Sequence, residues 1–110
     1  NIFKNSATGS ILKNKEFLKV LNKNRKATNI GIRPEHLLLE RGHKQGFLGR
    51  VSVVEYLGAD CFVFIDCGDL GTLNVRVEGS EQYTIDEEVS VNPQLEHLHF
   101  FDHQGNRLVA

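Results

Sequence analysis

The run DCFVFIDCGDLGTLNVRVE (residues 60–78) decides the fold. In its second half Leu73, Val75 and Val77 alternate with Thr72, Asn74 and Arg76, the period of two that gives a strand one apolar and one polar face. Its first half, Cys61 to Cys67, is apolar at every position up to Asp66, as expected of a central strand covered from both sides. Gly68-Asp69-Leu70-Gly71 supplies the turn between them, so the run reads as two strands joined by a short connection.

The same pattern extends outward. Phe47, Val51, Val53 and Leu57 form the apolar face of a longer strand whose other face carries Arg50 and Ser52, with Gly49 as the expected bulge or bend. Val89 and Val91 alternate with Glu88, Ser90 and Asn92. Further turns fall at Gly58-Ala59-Asp60, Glu78-Gly79-Ser80 and His103-Gln104-Gly105-Asn106. In LHFFD, read as another strand, Leu98 and Phe100 are the core pair, while His97, His99 and Phe101 take the outer face. Many short strands punctuated by glycine predict an all-β chain folded as a small antiparallel barrel. Residues 15–22, KEFLKVLN, suit either one helical turn or an irregular strand, and NKNRKATN (22–29) reads as a connecting loop.

A chain of 110 residues builds one core, and its 40% hydrophobic and 25% charged residues are ordinary for a globular domain. Its apolar runs are far shorter than the roughly 20 residues a membrane-spanning helix needs. The formal net charge of −1 hides an asymmetry: residues 1–30 carry seven basic residues against Glu16, whereas residues 31–110 carry six basic and thirteen acidic ones. With no aromatic ladder among the basic residues, the N-terminal charge reads as a solvated face. Nucleic acid is not an expected partner, because the body is acidic.

Cys61 and Cys67 lie on one extended run, roughly 20 Å apart at about 3.3 Å per residue, so they are expected to be unpaired and buried as small hydrophobes. Pro34 holds Arg33 extended and starts a short helical turn through His36, with Glu35 placed to meet the exposed N–H groups of that turn. Arg33 is a candidate for bidentate contact with a carboxylate, either on another domain or on Glu35 itself. The five histidines include the pair His97 and His99, yet no Cys-x-x-Cys or HExxH spacing accompanies them, and no metal site is expected. The chain contains no GxxxxGK[ST] phosphate loop and no GxSxG elbow, so no catalytic residues are assigned and the chain is expected not to be an enzyme.

Three motifs, GIRPEHL (31–37), VVEYLGAD (53–60) and LHFFDHQGNRL (98–108), taken in order and spacing, resemble the C-terminal regulatory domain of ATP-binding subunits in bacterial ABC importers of the sugar and glycerol-3-phosphate type. That domain contains the transport-associated OB (TOBE) module. The resemblance implies an OB-like barrel over residues 30–110, preceded by irregular N-terminal strands (9–12 and 17–20) and a loop within residues 1–29, the whole being one regulatory domain of a longer ATPase subunit. It implies a regulatory and dimerisation role without a cofactor in this chain, ATP and Mg²⁺ belonging to the ATPase portion. The implied partners are that ATPase portion, a second copy of the subunit, the membrane permease subunits indirectly and a regulatory protein. The implied location is the cytoplasmic face of the cell membrane. Candidate interface residues are Arg33, Glu35, His36, His97, His99 and Phe101. Two other readings are an oxyanion sensor, for which Ser80 and Thr84 flank a glycine turn, and a nucleic-acid-binding OB barrel, for which Thr72, Asn74 and Arg76 replace the required aromatics.

Overall fold

The structure, a computed structural model, describes residues 1–4, 19, 20, 23 and 26–108. Its strands are β1 (Ile2–Lys4), β2 (Asn29–Gly31), β3 (Leu37–Arg41), β4 (Phe47–Leu57), β5 (Asp60–Asp66), β6 (Thr72–Glu78), β7 (Glu88–Pro93), β8 (His99–Phe101) and β9 (Arg107–Leu108). They form two antiparallel sheets, one in the order β1-β2-β8-β9 and one in the order β3-β7-β4-β5-β6. The all-β architecture expected from the alternation is therefore present, and with it the OB-like form that the resemblance implies.

The larger sheet turns on β4. Its first half, Phe47 to Arg50, pairs with β7, and from Arg50 to Leu57 it pairs with β5, so one long strand carries the sheet around a corner. Side chains from both sheets fill the interior: Ile30, Leu37, Phe47, Val51, Cys61, Val63, Ile65, Leu73, Val75, Val89, Val91, Leu98 and Phe100 are all buried in one cluster. The curl brings the sheet's two outer strands, β3 and β6, face to face across a cleft, with no ladder joining them among the described residues. The two sheets are tied together at Asn1. Its backbone oxygen accepts from the Ile32 N–H at 2.9 Å, and its side-chain amide both donates to the Asn74 carbonyl and accepts from the Asn74 N–H, each at 2.6 Å.

The expected pair of strands forms the hairpin β5–β6, with Val63 opposite Val75 and Ile65 opposite Leu73, all four side chains buried. Three expectations for β4 and β5 need correction. Gly49 is neither bulge nor bend: it is where backbones meet, since a Cβ there would lie 2.6 Å from the Asp66 carbonyl oxygen and 2.9 Å from the Cys67 sulfur. The bulge falls instead at Ser52, between Val51 paired with Ile65 and Val53 paired with Phe64, and the Ser52 hydroxyl donates to the Phe64 carbonyl at 3.0 Å. Beyond that bulge the phase reverses, so Val53 and Leu57 are exposed rather than core residues. Finally, β5 is flanked by strands on both sides but only one of its faces is fully buried, with Phe62 and Phe64 half-buried on the other.

Cys61 and Cys67 are both buried and unpaired, as expected. Burial pushes the Cys67 thiol up to about 12 and raises Cys61 as well, so both stay protonated at neutral pH. At the N-terminal side, Lys19, Val20 and Lys23 have helical backbone where a strand and a loop were expected. The apolar spacing of Phe17, Leu18, Val20 and Leu21 suits a helical turn better than a pleat, and Val20 packs against the core. The remainder of the expected strand pair, residues 9–18, lies outside the described residues. No helix among them is long and apolar enough to cross a membrane.

Candidate functional site

The turn Pro34–His36 forms as its sequence requires. Arg33 is extended, with φ −74° and ψ 149°, and proline opens a 3-10 turn closed by the His36 N–H on the Arg33 carbonyl at 3.0 Å and by the Leu37 N–H on the Pro34 carbonyl. The Glu35 carboxyl is held below its usual range chiefly by a hydrogen bond from its own backbone N–H, helped by nearby His36, Arg76 and Arg33. Arg33 is exposed, and its guanidinium enters no ion pair among the described residues.

His36 and His97 meet face to face, ring centroids 3.6 Å apart and planes 7° from parallel. His97 was expected to share a strand with His99, but it closes a second 3-10 turn, Leu95–His97, and the strand begins only at His99. Gln94 joins the two turns by donating its N–H to the His36 carbonyl at 2.9 Å. His99 is half-buried, not solvent-facing, and its Nδ1, like that of His36, is buried without a hydrogen-bond partner. Loss of water around the ring lowers the pKa of His99, and the positive charges of Arg107 and Arg33, with His36 and His97, push it the same way. The corner therefore gathers Arg33, His36, His97 and His99 together with Arg107, which sequence reading missed because it follows the turn at Gly105-Asn106 and reaches this corner only through the pairing of β9 with β8.

Phe101 behaves differently from the expected exposed anchor. It is half-buried, and its ring lies over Gly31, where a Cβ would come within 3.0 Å of the ring. Leu98 and Phe100 are buried as the expected core pair. Among the described residues no group of three His, Cys, Asp or Glu side chains is arranged to hold a metal ion.

Glu35 points to a second region. With Leu37, Leu38 and Leu39 of β3 and Asp60, Arg76, Val77, Glu78 and Glu81 across from them, it lines the cleft between the two edge strands, which holds about 360 Å³. Leu37 is buried at its floor and Leu38 stands half out in solvent. Arg76 Nε lies 3.3 Å from Asp60 Oδ1, which leaves the other three carboxylates on the rim without a guanidinium of their own within the cleft.

Comparison with known proteins gives a consistent family. The profile of the TOBE domain matches residues 30–101. The chain is 38% identical to the sn-glycerol-3-phosphate import ATP-binding protein UgpC of Cupriavidus metallidurans over 84 residues, 74% of this chain and 22% of that protein. It is 39% identical to the protein of the same name from Rhizobium meliloti over 83 residues, 72% of this chain and 24% of that protein. An uncharacterised ABC transporter ATP-binding protein of Bacillus subtilis, YurJ, is 30% identical over 83 residues, 72% of this chain and 22% of that protein. The chain thus spans less than a quarter of the length of these relatives.

Proposed function

Because the chain belongs to the TOBE domain family, we propose that it is the non-catalytic regulatory and dimerisation domain of an ABC importer's ATP-binding subunit, serving uptake of a sugar or of glycerol-3-phosphate. The observation that carries this is the agreement between the family match over residues 30–101 and the printed names of the relatives, which are import ATP-binding proteins. On this reading ATP and Mg²⁺ are bound by the ATPase portion of the subunit, and this domain joins two such subunits at the cytoplasmic side of the membrane, in contact with the permease only through them.

The corner at Arg33, Glu35, His36, His97, His99 and Phe101 is the proposed contact with the ATPase portion or the second copy. Support comes from its chemistry: an exposed guanidinium with no ion pair among the described residues, a stacked histidine pair and a half-buried aromatic are the components of a polar contact with a hydrophobic centre. The oxyanion reading gains no support at Thr84, whose N–H already donates to Glu87 Oε1 at 3.1 Å.

Two measurements test the proposal. Reading the coding sequence upstream of Asn1 should reveal a phosphate loop and an ABC signature motif, and an unrelated upstream domain would overturn the assignment. Sedimentation of the subunit carrying Arg33→Ala or Phe101→Ala should show weaker self-association than wild type, and equal association would remove the corner from the interface.

A further inference from the structure

The cleft between β3 and β6 has a different character from the corner and shares only Glu35 with it. It is bounded by two strand edges. β7 occupies one side of β3: the Gln94 N–H donates to the His36 carbonyl and the Gly42 N–H to the Glu88 carbonyl, so even-numbered residues face β7 and the backbone groups of Leu39 face the cleft. On β6 the outward-facing residue Asn74 is already engaged in strand fashion, its N–H and carbonyl both held by the Asn1 amide. Period two then turns the backbone of Arg76 outward as well, next to the open cleft. One end of this edge thus already accepts a backbone-like partner, and no strand continues that pairing along β6 among the described residues.

The floor and rim define what would fit. Leu37, Leu39 and Val77 present apolar surface between the edges, and Leu38 is 52% exposed at the lip. The rim carries Glu35, Asp60, Glu78 and Glu81 against Arg76 alone, a formal excess of three negative charges. An open strand edge takes an extended chain, an apolar floor takes the alternate side chains of that chain, and an acidic rim takes cations on the side chains between. We infer that the β3–β6 cleft is a docking groove for an extended segment of a partner protein in which apolar residues alternate with lysine or arginine, added to the sheet as an extra strand.

The probe is a short synthetic peptide of alternating valine and lysine, titrated into the 110-residue chain by calorimetry, with amide exchange followed residue by residue. Binding should weaken with added salt and slow exchange at the Leu39 and Arg76 amides. The double variant Glu78→Lys with Glu81→Lys, both exposed positions, should bind about tenfold more weakly or worse. Glu55→Lys, exposed on β4 outside the cleft, should bind like wild type, and the thermal transitions of all three proteins should coincide. Equal binding of a valine–glutamate peptide, equal binding of spermidine, undiminished binding by the double variant, or binding without protection at Leu39 and Arg76 would each overturn the inference. None of these results would alter the family-based reading above, which depends on the upstream sequence and on self-association.

Discussion

Glu35 and His36 are neighbours in sequence but serve opposite surroundings. Glu35 joins an acidic rim over an apolar floor, where the carboxylate stays ionised and solvated. His36 joins a corner of stacked imidazoles and arginines, where positive charge is crowded and two ring nitrogens are buried without partners. A 3-10 turn advances about 120° per residue, so a single turn is enough to send successive side chains into different electrostatic regions. The difference shows that the motif around Pro34 places two surfaces rather than building one site.

The sharpest break in this comparison comes from what the two surfaces rest on. Leu37 is 2% exposed beneath the cleft, and Leu37→Asp should destabilise the domain by several kcal/mol through an unpaired buried charge, measured by denaturant unfolding. Phe100 is the matching support beneath the corner, and Phe100→Ala should cost about 3–5 kcal/mol. A far smaller loss for either would mean that its surface is not mounted on the common core.

Smaller changes should act on one region only. Removing the stack with His97→Ala should lower stability by about 0.5–1.5 kcal/mol while leaving peptide binding at the cleft unchanged. Acidification should separate the regions further. Because the pKa of His99 in the folded state lies below its unfolded value near 6.5, folding favours the neutral ring. That contribution is complete above the unfolded pKa and is lost as pH falls through the lower folded pKa. Thermal unfolding should therefore drop between neutral and mildly acidic pH, and His99→Gln should flatten the slope. The effect is the smallest of the four, and a slope that survives the substitution would assign it to other groups.

Legibility of the sequence followed the same division. In β6 and β7 alternation gave the apolar face because both strands run regularly against their neighbours, and Leu73, Val75, Val89 and Val91 are all buried where expected; Ser90, on the polar face of β7, is buried as well, its hydroxyl donating to the Gly42 carbonyl. Strand β3 was not legible, since LLLER has apolar residues on both faces and its outward Leu38 mimics a core residue. Arg33, His36 and His99 were singled out from motif and type, yet the stacking of His36 on His97 depends on two turns distant in sequence being joined at Gln94. The cleft was illegible for a plainer reason: it exists only because the sheet curls until its first and last strands meet, and no local pattern encodes that approach.

The extra residue at Ser52 has a consequence for how this protein would record its own mutational history. Ahead of it, odd-numbered positions of β4 face the interior; past it the phase changes and Val54 faces inward, as the buried Phe47 and Val51, the half-buried Val54 and the exposed Val53 indicate. A saturation scan along the strand would thus show a tolerance wave that slips by half a period at Ser52. Deleting Ser52 would close the bulge into a regular ladder, with Val51 opposite Ile65, Val53 opposite Phe64 and Val54 opposite Val63, and would leave Val54 on the interior face. The serine therefore acts as a spacer in the strand's reading frame: it is the extra residue that lets Val51 and Val54, three apart in sequence, face the same interior.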